Sequence, residues 1–207
     1  MARFPEPWNM LSWCVVNGGF QRTNTAAWLY LQRNQILGVA DPVDWMRREM
    51  YSAGVSGALG FMTSRRLHSS VESAATEADC NAWAVGTVGM SNALRAGDAQ
   101  GIWTLGTINL LVAVDKPLTM EAALEALCLM SEAKALAVLE SGVRSIVSKA
   151  PATGTGTDYL ALAWSSTDGC EPYAGKHTAV GAAVGRATYL AVQQGVAEWQ
   201  KEQGGTT

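Results

Sequence analysis

Residues 150–164, APATGTGTDYLALAW, join a polar, glycine-rich loop directly to an apolar run. Three threonines, two glycines and one aspartate occupy the six positions from Thr153 to Asp158, and residues 159–164 follow as an expected strand. Glycines let a backbone approach a ligand closely, and the free N–H groups of such a loop can hold an anion or a polarised carbonyl. Because binding and catalytic residues often lie on loops held by a rigid scaffold, the stretch predicts a functional loop. A tight surface turn before a strand is the alternative.

The composition favours one globular domain that does not bind nucleic acid. Of the 207 residues, 48% are hydrophobic and only 16% are charged, so we expect a single domain over residues 1–207, with a frayed tail from about residue 202. The formal net charge is −3 and no basic stripe occurs, which argues against binding to a phosphate backbone. No apolar run reaches the ~18 residues of a membrane span. The first residues have no signal-peptide apolar region, so we expect a cytoplasmic protein.

Apolar runs predict the strands, and capping signals predict the helices. Strands are expected at residues 12–16, 26–31, 58–62, 82–89, 106–114 and 159–164, with a strand edge at 69–73. Helices are expected to begin at Asp41-Pro42, at Leu118-Thr119 and at Gly175, and the last to end near Trp199. This order predicts an α/β or α+β fold, a single-domain sandwich of a mixed sheet of about six strands with about three helices.

Polar residues gather where the predicted strands end. The clusters lie at residues 17–19, 63–64, 91–92 and 153–158, and two further polar residues, Thr107 and Asn109, lie inside the clearest buried strand. Asparagine is depleted in strands and needs partners when it is buried. One such residue is easily structural, but several together indicate a pocket lined by amides and hydroxyls, able to bind amide groups or to form an oxyanion hole. The predicted binding residues are Asn17, Gly18, Gly19, Ser91, Asn92, Thr107, Asn109, Thr153, Gly154, Gly156 and Thr157.

Three titratable residues outside the loop are candidates for proton transfer. Glu132 and Lys134 lie in an otherwise apolar helix, where either could act as a base if it were buried; a solvated helix face is the alternative. His177, at the start of the last predicted helix, is a candidate general acid or base, or only a capping or surface residue. The four cysteines lie far apart and the two histidines lack metal-ligand spacing, so no metal site is predicted. The loop glycines precede a strand rather than a helix, which argues against nucleotide binding.

Seven segments, in order, give the chain a resemblance to the adenosylcobinamide amidohydrolase (CbiZ) family. They are residues 11–19, 60–63, 88–98, 106–109, the helix from 118–119 that includes 132–134, 152–158 and 173–178. Members of this family hydrolyse the amide that joins the aminopropanol arm to the corrin ring. The product is adenosylcobyric acid, which re-enters cobalamin synthesis in corrinoid salvage. Two features depart from the family pattern and could alter substrate preference: Tyr159, where the family has a small residue, and the segment 21–40.

The resemblance implies a corrinoid, adenosylcobinamide, as the substrate and no required cofactor. Amide hydrolysis needs a nucleophile, an oxyanion stabiliser and an acid for the leaving amine. We expect the loop N–H groups to stabilise the oxyanion, and an activated water or a loop threonine to be the nucleophile. His177, Asp158 and Glu132 are the candidate acids or bases, with Lys134 orienting one carboxylate and Thr155 among the candidate nucleophiles. A histidine could instead ligate the cobalt.

Three other functions stay open from the sequence. The same pocket could belong to a corrinoid carrier or sensor that leaves its ligand intact. The chain could also be an amidase for another substrate, including one that frees a threonine amine by cleaving itself, or it could have a purely structural role. The two long helices could serve a homo-oligomer, although nothing in their pattern demands one.

Overall fold

The computed structural model describes residues 1–32, 39–101, 104–167 and 169–204 of the chain. The described residues form nine strands and three α-helices. In chain order these are β1 (Ala2–Ser12), β2 (Gly19–Tyr30), α1 (Pro42–Ser52), β3 (Leu59–Thr63), β4 (Ser70–Glu77), β5 (Cys80–Val88), β6 (Ala93–Leu94), β7 (Ile108–Val114), α2 (Met120–Glu140), β8 (Gly154–Thr155), β9 (Tyr159–Trp164) and α3 (Ala179–Gly204). A short 3₁₀ helix, Leu67–Ser69, precedes β4.

Seven of the strands form one mixed sheet in the order β3-β2-β1-β9-β7-β5-β4, and β6 and β8 form a separate two-stranded sheet. The pairs β2/β3 and β7/β9 are parallel, and the other pairs of the large sheet are antiparallel. The crossover between β7 and β9 contains α2, as parallel neighbours require. The predicted single-domain mixed α/β fold is therefore confirmed, with more strands than the expected six.

The two faces of the large sheet pack against different neighbours. On one face, α2 and α3 cover the sheet, and strand residues such as Leu110 and Leu160 share a core cluster with Met130 of α2. Because side chains alternate along a strand, Leu111 points to the other face, where it clusters with Phe61 of β3. The strands β7 and β9 are therefore buried on both faces, which explains their continuous apolar sequences.

The large sheet curls, so that its edge strand β3 contacts β7 although three strands separate them in the sheet order. The Thr87 hydroxyl donates to the Thr63 hydroxyl over 3.0 Å. The Asn109 amide donates to the Met62 carbonyl. The last residues of β3 and β5 thus meet the first residues of β7 and β9, and we call this region, marked by Thr63, Thr87, Asn109 and Tyr159, the open end of the sheet.

The structure differs from the predicted elements at both ends of the chain. The strand expected at 12–16 ends at Ser12, because the Cys14 N–H turns back to donate to the Ser12 hydroxyl over 2.9 Å. Most of β1 was not predicted, since Pro5 and Pro7 disfavour strands; the pairing of β1 with β2 shifts register between Arg3 and Trp8, where both prolines lie.

The last helix begins and ends later than predicted. It starts at Ala179 rather than Gly175, because the Thr178 hydroxyl accepts the Gly181 N–H over 3.0 Å, and it continues through Gly204. Residues 202–204 of the expected frayed tail are therefore helical, and 205–207 lie outside the described residues, as do residues 33–38 of the unusual segment 21–40. None of the helices in the described part of the chain combines the length and apolarity that a bilayer crossing requires.

Candidate active site

The threonine-glycine loop is held at the open end of the sheet by a short ribbon. Its residues 154–155 form β8, which pairs with β6, and the Thr153 N–H donates to the Leu94 carbonyl over 2.9 Å. The Gly156 N–H donates to the Asn92 carbonyl over 3.1 Å. The Thr153 hydroxyl accepts the Ala96 N–H over 2.8 Å. The loop is thus an ordered element, and its last residue, Asp158, directly precedes β9.

The Asp158 carboxylate is the centre of a polar cluster. Its Oδ2 lies 2.6 Å from Lys134 Nζ, and the two side chains are only 10% and 13% exposed, respectively. Its Oδ1 accepts the Thr155 hydroxyl over 2.6 Å, and both oxygens lie within 3.2 Å of the Thr155 backbone nitrogen. A hydroxyl that donates to a carboxylate, itself oriented by a third group, is the arrangement of an activated nucleophile.

Lys134 links α2 to this loop. Besides Asp158, its ammonium donates to the Thr153 carbonyl over 3.1 Å. An ammonium has three N–H donors, so one is left for a ligand. Gly154 makes this contact possible, because a Cβ at that position would lie 2.1 Å from Asp158 Oδ2 and 2.5 Å from Lys134 Nζ.

The loop N–H groups predicted to stabilise an oxyanion are mostly engaged within the protein. Those of Thr153 and Gly156 donate to backbone carbonyls, and that of Thr155 donates to Asp158. The Thr157 N–H has only a long contact, 3.5 Å, with the Thr155 hydroxyl. The Lys134 ammonium keeps one N–H that no described group accepts, so it is the other donor of this cluster that can bind a negative charge.

A buried hydroxyl and amide network lies beside the cluster. Thr107 is 8% exposed and Asn109 is fully buried. The Thr107 hydroxyl lies within hydrogen-bonding distance of the Asn109 side-chain oxygen, 3.1 Å away, and of the Thr157 carbonyl. The network is continuous with the carboxylate, because Asp158 Oδ1 lies 3.4 Å from the backbone nitrogen of Ile108. The prediction that Thr107, Asn109 and the loop lie together agrees with this geometry.

A cavity of about 290 Å³ opens next to this network. Val15, Leu31, Val43, Met62 and Leu105 contribute to its apolar wall. Its polar lining includes Thr63, Ser64, Thr107, Thr157 and Tyr159. No Lys, Arg, His, Asp or Glu among the described residues lines it.

Tyr159 was noted in the sequence only as a departure from the family pattern. Burial, and secondarily the nearby Cys14, raise the pKa of its phenol, which therefore stays neutral in ordinary buffers. A second residue that the sequence did not indicate is Trp13, whose indole N–H donates to the Asp158 carbonyl over 2.7 Å. The two residues are 145 positions apart, so no local pattern could have paired them.

Glu132 and His177 do not join the Asp158 cluster. Glu132 forms an ion pair with Lys176, and these side chains are 59% and 68% exposed. His177 is exposed and has no hydrogen bond within the described ranges. Two residues apart on a helix, Glu132 and Lys134 point about 200° away from each other, which places them on opposite sides of α2. The catalytic roles of Glu132 and His177 remain predictions without support from this geometry.

The remaining predicted binding residues are divided between two places. Asn92 is buried beside the loop, whereas Ser91 is exposed. Asn17 has a positive φ of 57° and donates to the Ser56 and Ala58 carbonyls, each over 2.8 Å. These partners precede β3, at the opposite end of that strand from Thr63, so Asn17 lies away from the open end. Gly18 and Gly19 lead from Asn17 into β2, and the two hydrogen bonds of the Asn17 side chain hold this turn in place.

No group of three or more His, Cys, Asp or Glu side chains that could hold a metal occurs among the residues that the structure describes. Fold and cluster define a single-domain α/β protein in which a threonine hydroxyl, a carboxylate and an ammonium lie together next to a cavity. Residues 1–204 match the family described as adenosylcobinamide amidohydrolase, CbiZ, and the chain belongs to this family. The resemblance noted from the sequence is thereby confirmed. No curated protein and no solved structure matches the chain.

Proposed function

We propose that this protein hydrolyses the amide between the aminopropanol arm and the corrin ring of adenosylcobinamide, releasing adenosylcobyric acid for corrinoid salvage. Membership of the family supports amide hydrolysis. The observation that carries the assignment to particular residues is the Thr155–Asp158–Lys134 cluster. The Thr155 hydroxyl lies 2.6 Å from Asp158 Oδ1, and Lys134 Nζ lies 2.6 Å from Asp158 Oδ2. These three side chains supply each part that amide hydrolysis requires.

In the proposed first step, Thr155 Oγ attacks the amide carbonyl carbon. Its proton passes to Asp158 Oδ1, which already accepts it as a hydrogen bond. The carbonyl oxygen becomes an oxyanion and accepts the third N–H of Lys134. When the C–N bond breaks, the protonated Asp158 gives its proton to the leaving nitrogen, and 1-amino-2-propanol departs. The corrinoid acyl group is then an ester of Thr155.

In the second step, water attacks this ester while Asp158 takes one of its protons. Collapse of the tetrahedral intermediate breaks the bond to Thr155 Oγ, which recovers a proton from Asp158. The products are adenosylcobyric acid and the starting enzyme, so the steps use one water and the chain's own side chains. Loss of a general base lowers turnover ~10²–10⁴-fold, and Asp158→Asn should fall in this range.

The test is incubation of the purified protein with adenosylcobinamide, followed by mass analysis of the corrinoid. We expect loss of the aminopropanol unit with wild type, ~10²-fold or greater slowing with Thr155→Ala, and partial recovery with Thr155→Ser, which keeps the hydroxyl. Glu132→Gln and His177→Ala should stay within about threefold of wild type, because both residues lie outside the cluster.

Several outcomes would contradict the proposal at different levels. A bound but unaltered corrinoid would identify a carrier or sensor instead. Turnover that survives Thr155→Ala would exclude the threonine as the nucleophile and leave Asp158 to activate water. A large loss with Glu132→Gln or His177→Ala would move the catalytic centre to the other side of α2.

A further inference from the structure

We propose that the cavity at the open end of the sheet is a subsite for an uncharged carboxamide side chain of the ligand, and that Thr63 and Thr107 select it. The corrinoid identity of that ligand rests on the proposed function. The subsite itself is argued from the cavity's size, its hydrogen-bonding groups and the absence of charged side chains among the described residues that line it.

The cavity holds a side chain that is not cleaved. Its volume of about 290 Å³ lies at the lower end of the range for small-molecule pockets, which suits a short side chain better than a whole corrin ring. Thr157 lines the cavity, whereas Thr155 and Asp158 do not. The ring therefore stays at the mouth, with one carboxamide arm inside and the reacting arm directed to the cluster next to it.

Thr63 offers the cavity a hydrogen-bond donor. Its oxygen accepts the Thr87 hydroxyl over 3.0 Å and the Arg65 backbone N–H over 3.1 Å. A hydroxyl has two lone pairs and one proton, so both acceptor positions are used and the O–H is left to donate. Thr63 is 1% exposed overall and lines the cavity, where a carbonyl oxygen is the natural partner for this proton.

Thr107 offers the complementary acceptor. Its proton is shared between the Asn109 side-chain oxygen and the Thr157 carbonyl, and no described donor reaches its oxygen. Its lone pairs are therefore left for an N–H donor in the cavity. A donor and an acceptor in a mostly apolar lining match the C=O and N–H of one carboxamide.

A carboxylate of the same shape is disfavoured in this cavity. Arg65 directly follows the lining residues Thr63 and Ser64 in sequence but does not line the cavity. Its guanidinium instead contacts Glu202, with Nη2 2.9 Å from Oε1. A buried carboxylate without a cation is costly, and it cannot donate to Thr107. The subsite should therefore distinguish a carboxamide from the acid produced by its hydrolysis.

The first experiment uses two small probes, propionamide and propionate, on the full-length protein. Methyl resonances of Thr63, Val43 and Leu105 should shift with millimolar propionamide and stay unchanged with propionate. Thr63→Val, which replaces the hydroxyl by a methyl group, should weaken propionamide binding about fivefold, the equivalent of one hydrogen bond. The matched control is Thr87→Val, which removes the same Thr87–Thr63 hydrogen bond but lies outside the cavity lining, and it should leave binding unchanged.

The second experiment measures adenosylcobinamide turnover by the same variants. Thr63→Val and Thr107→Val should raise KM about tenfold with kcat within about twofold, whereas Thr87→Val should change neither. Equal binding of propionate, no binding of propionamide, or equal effects of Thr63→Val and Thr87→Val would overturn the subsite. Because the probe experiment needs no turnover, propionamide binding to a protein that leaves adenosylcobinamide intact would refute the proposed function alone. Turnover with an unchanged KM in both cavity variants would refute the subsite alone.

Discussion

Replacing Lys134 by methionine should destabilise the protein by about 3 kcal/mol, because it leaves the Asp158 carboxylate without a cation. Asp158 is only 10% exposed, and Lys134 Nζ lies 2.6 Å from its Oδ2. Removing one partner of a buried ion pair costs about 3–5 kcal/mol. Two donors from Thr155 remain on the carboxylate, so the lower end of this range is expected.

Urea unfolding followed by circular dichroism measures this cost. For a chain of this size the same loss corresponds to a fall in Tm of roughly 6–12 °C. The control is Lys201→Met, which removes an exposed lysine of α3 and should stay within about 0.5 kcal/mol of wild type.

A double-mutant cycle separates the ion pair from general packing. Once Lys134 is gone, Asp158→Asn removes the unpaired charge, so the double variant should be less destabilised than the sum of the single variants by about 2 kcal/mol. Additive effects, or a Lys134→Met variant as stable as Lys201→Met, would refute the ion pair as the support of this loop.

Three further predictions concern the loop, the buried thiols and the last helix. Gly154→Ala should abolish amide hydrolysis in the corrinoid assay, because its Cβ would lie 2.1 Å from Asp158 Oδ2, whereas Gly57→Ala, with no atom within 4 Å, should be active. Burial raises the pKa of Cys80 to about 11, so a thiol reagent at pH 8 should label the two exposed cysteines and reach Cys80 only in denaturant. Hydrogen bonding to Arg65 lowers the pKa of Glu202, so Glu202→Gln should lower the free energy of unfolding by about 0.5 kcal/mol. This loss should have its full size above pH ~4.3 and disappear as the pH falls through the lowered pKa of Glu202. Labelling of Cys80 in the native protein, or a Glu202→Gln effect that grows toward low pH, would contradict the respective argument.

The sequence predicts those parts of the fold that local patterns determine. The helix after Thr119 begins where its cap indicates, since the Thr119 hydroxyl accepts the Ala122 N–H over 3.2 Å. The strands β7 and β9 are predicted by their apolar runs. The strand β1 was missed because its two prolines mask a pairing that depends on partners far along the chain.

Local sequence patterns likewise indicate one part of the candidate site and miss the contacts that depend on the fold. Thr155 and Asp158 are three residues apart and belong to one recognisable loop, so the sequence indicates them together. Helical periodicity already implies that Glu132 and Lys134 cannot serve the same centre, although the spacing alone does not say which of them faces the loop. The contacts of Trp13 with the Asp158 carbonyl and of Asn109 with the Met62 carbonyl arise only from the curl of the sheet, which no local pattern encodes.

The interior position of β1 in the seven-stranded sheet has a consequence for how the protein is made. Among the described strands β1 is synthesised first, and its neighbour β9, residues 159–164, is synthesised last. The hairpin of β1 and β2 must therefore wait for most of the chain with one edge unpaired, and the non-local pairing makes folding slow. The pairing of β9 with β1 also positions Asp158, which directly precedes β9. Catalytic competence should consequently emerge in refolding experiments together with the last tertiary structure, and no fragment that lacks the first strand should be active.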